Sequence, residues 1–113
     1  MEAKKDKIIL KGTGASVGEA EGIVKIITKK ENLLSFKKGE ILVAKITDPS
    51  YVMIMTKSSA IITDTGGLMS HPSIVARELG VPCVVATKYA TSVLKNGQKV
   101  KVDGTNGIIY ESK

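Results

Sequence analysis

Several residue types are scarce in this chain, and their scarcity limits the chemistry it can perform. The sequence has no tryptophan, one phenylalanine, one histidine and one cysteine. The lone Cys83 cannot form an internal disulfide, which is typical of proteins in the reducing cytoplasm. No second histidine exists to activate Cys83, so we expect a buried thiol in an apolar strand. No acidic cluster suits Mg²⁺, so we also expect no metal site.

Long apolar runs are absent too. None approaches the ~20 residues that a membrane-spanning helix needs, so we expect no membrane association. Residues 1–7 are charged and lack the apolar core of a signal peptide, which indicates a frayed leader. The chain is nevertheless 42% apolar and 25% charged over 113 residues, a balance that favours one globular domain spanning residues 1–113.

The net charge of +6 comes almost entirely from lysine, and Arg77 is the only arginine. The four aromatic residues do not alternate with the basic residues, as they would in a surface that stacks nucleic-acid bases. A solvated basic surface therefore explains the charge better than a nucleic-acid interface. The charge could also help the domain dock on an acidic, nucleotide-bearing partner.

The hydrophobic pattern mixes consecutive strands with strand–helix pairs, which indicates an α/β or α+β fold. Asp48 and Pro49 form a helix-start signal, and Met53 and Met55 in the helix that follows are expected to fill the core. Predicted strands cover residues 8–10, 22–28, 40–44, 59–63, 83–86, 98–103 and 108–110. Predicted helices cover residues 31–36, 49–57, 72–79 and 90–94. The glycine-rich residues 12–18 are assigned to turns.

The most informative stretch runs from residue 61 to residue 82. An apolar strand ends at Thr63, a Gly66-Gly67 loop follows, and Ser70 precedes a helix as its expected cap. Ile74, Val75 and Leu79 form the expected apolar helix face, and Gly80 with Pro82 ends the helix. The only histidine, His71, therefore lies at a helix N-terminus behind a glycine loop.

This position has chemical consequences for His71. A helix N-terminus carries roughly half a positive charge and several free N–H groups, so it attracts phosphate and disfavours a second positive charge. A neutral imidazole can act as a nucleophile, and N–H groups of the Gly66-Gly67 loop could hold the oxygens of a phosphoryl group attached to it.

The stretch resembles the phosphohistidine motif of the swivelling domain in phosphoenolpyruvate-utilising enzymes. That family includes phosphoenolpyruvate synthase, pyruvate phosphate dikinase and enzyme I of the sugar phosphotransferase system. Its motif reads Thr-Asp-x-Gly-Gly-x-x-Ser-His, then a small pair, then Ile-Val-Ala-Arg-Glu-Leu-Gly-Ile-Pro, and residues 63–82 follow it closely. Residues 12–22 resemble the family's opening turn, and residues 39–64 resemble its segment Gly-x-Ile-Leu-Val-x-x-x-Thr-Asp-Pro.

The resemblance implies a swivelling β/β/α fold, in which a β core is flanked by short helices. It implies that His71 is the phosphoryl carrier. The remaining predicted site residues bind phosphate or orient the imidazole: Thr63, Asp64, Gly66, Gly67, Ser70 and Arg77. Thr63 and Asp64 have two open roles, accepting the second imidazole N–H or bonding the phosphoryl oxygens, while plain turn chemistry is the alternative.

Arg77 follows His71 by six residues, about 9 Å along the helix axis, so direct contact with a phosphoryl group on His71 is not expected. Two positions depart from the family pattern. Met69 stands where some members carry a regulatory phosphothreonine. Pro72 follows the histidine and should hold His71 at the cap rather than in the first helical turn.

The family's full-length enzymes add a nucleotide-binding domain and a phosphoenolpyruvate/pyruvate barrel, for which 113 residues leave no room. We therefore expect a phosphotransferase component that is incomplete alone, either free-standing or a piece of a longer chain. ATP and Mg²⁺ would bind to a partner domain. The main alternative is a non-catalytic interaction module that keeps the fold, and a nucleic-acid-binding module ranks third because it depends on charge alone.

Overall fold

A computed structural model describes residues 7–112 of the chain, so the predicted leader lies almost wholly outside the described residues. The eight strands are β1 (Ile8–Lys11), β2 (Thr13–Ser16), β3 (Glu19–Ile26), β4 (Ile41–Ala44), β5 (Ala60–Thr63), β6 (Cys83–Val85), β7 (Lys99–Asp103) and β8 (Ile108–Glu111). The three α-helices are α1 (Val52–Lys57), α2 (His71–Leu79) and α3 (Ala90–Val93). Short 3-10 helices cover Lys30–Ser35 and Pro49–Tyr51.

All eight strands form one continuous layer in the order β1-β8-β7-β3-β4-β5-β6-β2. The pairs β3–β4, β4–β5 and β5–β6 are parallel, and the other pairings are antiparallel. β1 and β2 lie at opposite ends of this order, yet only Gly12 separates them in the chain. The chain at Gly12 therefore brings the two ends of the layer together, so the sheet curls back on itself.

Four glycines allow the two ends of the layer to approach closely. A Cβ on Gly12 would lie 2.4 Å from the carbonyl oxygen of Val85, and one on Gly14 would lie 2.4 Å from that of Gly104. A Cβ on Gly104 would lie 2.0 Å from the carbonyl oxygen of Ser16, and one on Gly107 would lie 2.5 Å from that of Gly12. These contacts are with backbone atoms, so no side-chain adjustment can relieve them.

The assignment to turns was wrong for residues 13–16. Thr13–Ser16 is a strand that pairs with β6, and β3 begins at Glu19, three residues earlier than expected. The glycines that suggested a turn instead serve close backbone packing, which a strand can use as well as a turn can. The other predicted strands and helices are found, with shifted ends; residues 31–36 fall largely in a 3-10 helix.

Two apolar layers cover the two faces of the sheet. One packs beneath α1 and α2, and alternate residues of β4 and β5, such as Leu42 and Ile61, point into it. The other faces α3 and takes the intervening residues, such as Val43 and Ile62. Both faces of the parallel strands are therefore buried, as expected for apolar strands without polar alternation. This arrangement confirms the expected α/β fold, a β core with short flanking helices.

The helices bury different residues from those expected. In α2 the buried residues are Pro72, Ser73 and Ala76, whereas Ile74 and Leu79 are exposed. Small side chains let the helix lie close to the sheet, so its apolar residues fall on the flank. Met53 is 70% exposed, which overturns its assignment to the core, because it lies on the outer face of α1.

Met55, by contrast, is fully buried as expected. Asp48 caps the turn that leads into α1, since its Oδ1 accepts the Ser50 N–H at 2.8 Å. No helix among residues 7–112 is long and apolar enough to cross a membrane.

Candidate functional site

His71 is the first residue of α2, and Ser70 occupies the N-cap position with extended backbone angles. The expectation that Pro72 would hold His71 at the cap was therefore wrong by one residue. Pro72 is the second helical residue, where a missing N–H costs no intrahelical hydrogen bond. His71 is half-buried rather than fully exposed, because one side of its ring rests against the loop that follows β4.

The partner of the imidazole on that side is Thr47. Its Oγ1 lies 2.9 Å from Nδ1 of His71, and Thr47 itself is buried. Thr47 follows β4 and the glycine loop follows β5, so both extend from carboxyl ends of adjacent parallel strands. Such edges are where ligands bind in open α/β sheets. The side chain that contacts the imidazole in the structure is therefore Thr47, whereas those of Thr63 and Asp64 bond other groups.

Thr47 is the threonine of the Thr-Asp-Pro segment, and that segment is the only signal in the sequence that draws attention to it. The hydroxyl lies 24 residues before His71, and no local spacing pattern links residues so far apart.

A pocket of about 140 Å³ opens beside the imidazole. Its lining is formed by three segments: Ile46 and Thr47 after β4, Thr65 and Gly66 after β5, and Ser70, His71 and Pro72 at the start of α2. The first turn of α2 contributes the N–H groups of His71 and Ser73, which have no acceptor within the helix. A small anion placed here would meet the positive end of the helix dipole.

The two glycines of the loop differ in how much space surrounds them. Gly66 has a φ of +112°, and a Cβ there would lie 2.8 Å from Oγ of Ser70. Gly67 has nothing within 4 Å of the position that a Cβ would occupy. Crowding within the domain therefore requires glycine at position 66 but does not explain it at position 67.

Ser70 supports this loop rather than capping the helix with its side chain. Its Oγ donates to the Gly67 carbonyl oxygen at 2.7 Å, and Oγ of Ser73 donates to the same oxygen at 2.6 Å. The backbone N–H of Ser70 bonds it as well, at 3.1 Å. Three donors thus hold one loop carbonyl.

Thr63 and Asp64 are close to the loop in sequence, but their side chains bond other groups. Oγ1 of Thr63 donates to the Thr65 carbonyl at 2.6 Å. The buried Asp64 carboxylate accepts the Thr91 N–H at 2.9 Å and the Thr91 hydroxyl at 2.6 Å, which ties the end of β5 to α3. Their assignment to phosphate binding stays a prediction, and the structure gives both a local role in the strand end.

Arg77 does not line the pocket beside the imidazole. Its Nη1 donates to the Ala15 carbonyl at 2.9 Å, and its Nη2 donates to the Leu68 carbonyl at 2.6 Å. The guanidinium therefore joins strand β2 to the glycine loop.

Cys83 is a fully buried free thiol, as expected. Burial raises the pKa of this thiol to about 12, and the nearby positive charge of Arg77 offsets only part of that rise. The thiolate is scarce near neutral pH, so Cys83 is not an alternative nucleophile.

Comparison with known proteins agrees with the sequence pattern. Residues 36–107 match the family model described as PEP-utilising enzyme, mobile domain. The chain is 50% identical over 112 residues to a probable phosphoenolpyruvate synthase of Archaeoglobus fulgidus and 48% identical over 110 residues to a phosphoenolpyruvate synthase of Pyrococcus furiosus. These matches cover 99% and 97% of the chain, but only 15% and 14% of the relatives.

Among solved structures, the fold is similar to that in an NMR structure of an Enzyme I protein (nEIt). The TM-score is 0.60 at 36% sequence identity, and the match covers 69% of this chain and 32% of that one. The region that the family model matches includes both Thr47 and His71. On this basis the chain belongs to the family of mobile domains of PEP-utilising enzymes.

Proposed function

We propose that this domain is a phosphoryl carrier. In this proposal Nε2 of His71 accepts a phosphoryl group at a nucleotide-type donor site and delivers it at a pyruvate/phosphoenolpyruvate site, or the reverse. The observation that carries the proposal is the contact between Thr47 Oγ1 and His71 Nδ1. This contact occupies one ring nitrogen and leaves Nε2 as the nitrogen available to react.

The chemistry of the step follows from this arrangement. In this proposal His71 is the tautomer whose Nδ1–H donates to Thr47 Oγ1, which puts the lone pair on Nε2. That lone pair forms the N–P bond while the bond from phosphorus to the donor's leaving oxygen breaks, and the electron pair leaves with that oxygen. The first-turn N–H groups of α2 can stabilise the charge on the phosphoryl oxygens. Positioning and charge stabilisation are the main requirements of phosphoryl transfer.

A carrier of this kind needs partners that supply the donor site and the acceptor site. We propose a nucleotide-binding domain, where ATP and Mg²⁺ would bind, and a phosphoenolpyruvate/pyruvate barrel. These partners would act in trans or in a longer parent chain. The small share of the relatives that this chain matches supports the multidomain arrangement. We place the reaction in the cytoplasm.

The direct test is chemical phosphorylation of the folded chain with phosphoramidate, which needs no partner protein. We expect one acid-labile, base-stable phosphoryl group per chain, bound to Nε2 of His71 according to ¹⁵N NMR. The variant His71→Ala should remain folded and unlabelled, since this half-buried residue contributes little packing. Labelling on Cys83, on a hydroxyl or on Nδ1 would contradict the mechanism.

A second experiment tests the transfer itself. The chain is mixed with a nucleotide-binding domain and a barrel domain of the family, and a labelled nucleotide donor is added. Label should pass through His71 to pyruvate. A folded protein whose His71 resists phosphoramidate would support the interaction module instead, because the ring would then be neither accessible nor nucleophilic.

A further inference from the structure

Arg77 makes two hydrogen bonds that connect distant parts of the chain. Its acceptor on β2, the Ala15 carbonyl, lies at an irregularity in the pairing with β6, where the register shifts between Gly14 and Ser16. The bulge takes Ala15 out of the regular ladder and leaves its carbonyl available. The second acceptor, the Leu68 carbonyl, belongs to the loop before His71.

Two consecutive carbonyls of this loop, those of Gly67 and Leu68, are held by donors from the domain. Ser70 and Ser73 hold the Gly67 carbonyl, and Arg77 holds the Leu68 carbonyl. No other side chain among residues 7–112 bonds the Leu68 carbonyl, so Arg77 alone fixes that peptide unit.

The planar trans peptide gives these contacts a consequence for the opposite side of the loop. The Leu68 C=O and the Met69 N–H belong to one peptide unit and point in opposite directions. The same holds for the Gly67 C=O and the Leu68 N–H. When the carbonyls turn toward Arg77 and the serines, both N–H groups turn away from them. Within residues 7–112 neither N–H donates to a backbone acceptor.

The exposure of this segment would allow these N–H groups to bind a group that comes from outside the domain. Leu68 is 53% exposed and Met69 is 80% exposed. The space beside Gly67 is empty to 4 Å, and glycine there leaves the backbone open to approach.

We propose that Arg77 is a positioning residue for phosphoryl transfer. It acts through the Leu68 carbonyl to aim the Met69 N–H at an incoming phosphoryl group, and it does not contact that group itself. The inference depends on the proposed function, since it gives the loop a task in the same reaction. It also assigns a role to the one arginine in the chain, for which a lysine would be a poor substitute. A single ammonium lacks the planar fork that reaches two separate carbonyls.

The experiment compares Arg77→Met, which keeps the aliphatic stem, with Arg77→Lys, which keeps the charge. Lys38→Met removes the same charge at an exposed position away from the loop and serves as the control. We expect Arg77→Met to slow phosphoramidate labelling of His71 by about tenfold to a hundredfold, the usual effect of mispositioning by about 1 Å. Arg77→Lys should be intermediate, and Lys38→Met should match the unmodified chain.

Two readouts separate positioning from a general structural role. The ³¹P chemical shift of the phosphohistidine should change in Arg77→Met, because it reports hydrogen bonds to the phosphoryl oxygens. Methylguanidinium added to Arg77→Ala should restore part of the labelling rate. If Arg77→Met does not fold, Arg77→Lys and the rescue experiment decide the question.

A normal labelling rate together with an unchanged Met69 amide resonance in Arg77→Met would overturn the inference. A different result would contradict the proposed function, namely that phosphoramidate does not label the unmodified chain. In that case the Met69 amide still decides the positioning claim. A resonance that shifts in Arg77→Met but not in Lys38→Met supports it, and an unchanged resonance refutes it.

Discussion

In the proposed mechanism, the reactivity of His71 depends on the contact between the Thr47 hydroxyl group and Nδ1 of the imidazole. Thr47 is buried, so its hydroxyl must find a partner inside the protein, and that partner is Nδ1 of His71. The contact restrains the rotation of the imidazole, and in the proposed tautomer it holds the proton on Nδ1. A residue that never touches phosphate can therefore control which nitrogen reacts.

Replacing Thr47 tests this control directly. Thr47→Val keeps the shape but removes the hydroxyl, so the imidazole can rotate and exchange tautomers. We expect labelling of His71 to slow by about tenfold to a hundredfold and the product to include Nδ1-phosphohistidine. Thr47→Ser keeps the hydroxyl and should retain most of the rate. The measurement is the labelling time course with ¹⁵N NMR of the product. A Thr47→Val protein that gives only the Nε2 product at full rate would refute the orienting role.

The sequence alone was enough to predict His71 as the phosphoryl carrier, because its motif is local and specific. It offered Thr63 and Asp64 as the orienting group and did not consider Thr47, although all three lie at strand ends near the same edge of the sheet. Only the direction of each side chain separates them. Asp64 faces α3, where it bonds Thr91, whereas Thr47 faces α2.

The loop between β5 and α2 shows how an element combines a rigid base with an open surface. Its base is fixed from both sides: the Asp64 N–H bonds the Ala44 carbonyl, and the Thr87 N–H bonds the Thr63 carbonyl. Gly66 then makes the turn with a left-handed backbone, and Gly67 leaves its surroundings empty. The loop is therefore held by its carbonyls while the space above it stays free for another molecule.

The two glycines should respond differently to alanine. Gly66→Ala forces an L-residue to a φ of +112° and places a Cβ against Ser70, so we expect a loss of about 1–3 kcal/mol in the free energy of unfolding. Gly67→Ala should change that free energy by less than about 0.5 kcal/mol, yet slow labelling of His71, because the added methyl group occupies the space for a phosphoryl group. Urea denaturation and labelling rates measure both effects. Equal stability of the two variants would contradict this account of the loop.

The prediction of helices and strands from the sequence succeeded where a local signal was strong. It failed where glycine was compatible with either a turn or a closely packed strand. The Asp48-Pro49 start and the Gly80 end of α2 were correct, and Gly80 adopts a φ of +73° as a helix-ending glycine should. β2 was missed because Gly12 and Gly14 look like turn residues when their neighbours in space are unknown. The contacts that require glycine come from residues about 70 to 90 positions away in the chain, such as Val85 and Gly104.

For the whole molecule, the decisive feature is the meeting of the two sheet ends. The curled sheet depends on non-local pairings of β1 with β8 and β2 with β6, which no sequence window of ordinary length contains. The family resemblance supplied the expected fold, while the residue pattern alone could not separate α/β from α+β. The closure also places β2 where its Ala15 carbonyl can anchor Arg77, so the site depends on the closed sheet.

Gly104 offers a test of this dependence. A Cβ there would lie 2.0 Å from the Ser16 carbonyl oxygen, 2.8 Å from the Cys83 nitrogen and 3.2 Å from the Cα of Pro82, all of which are backbone atoms. Gly104→Ala must therefore push β2 away from β6 and β7. We expect a loss of about 3 kcal/mol or more in the free energy of unfolding, at the upper end of the usual cost of overpacking.

The matched control for this variant is Gly67→Ala, which adds the same methyl group in open space and should leave the unfolding midpoint unchanged. Because Arg77 bonds Ala15 on β2, the displaced strand should also weaken the contact of Arg77 with Leu68 and shift the Met69 amide resonance. Chemical denaturation and backbone NMR measure the two effects. A stable Gly104→Ala protein with an unperturbed Met69 amide would show that the sheet ends are not as tightly joined as the structure has them.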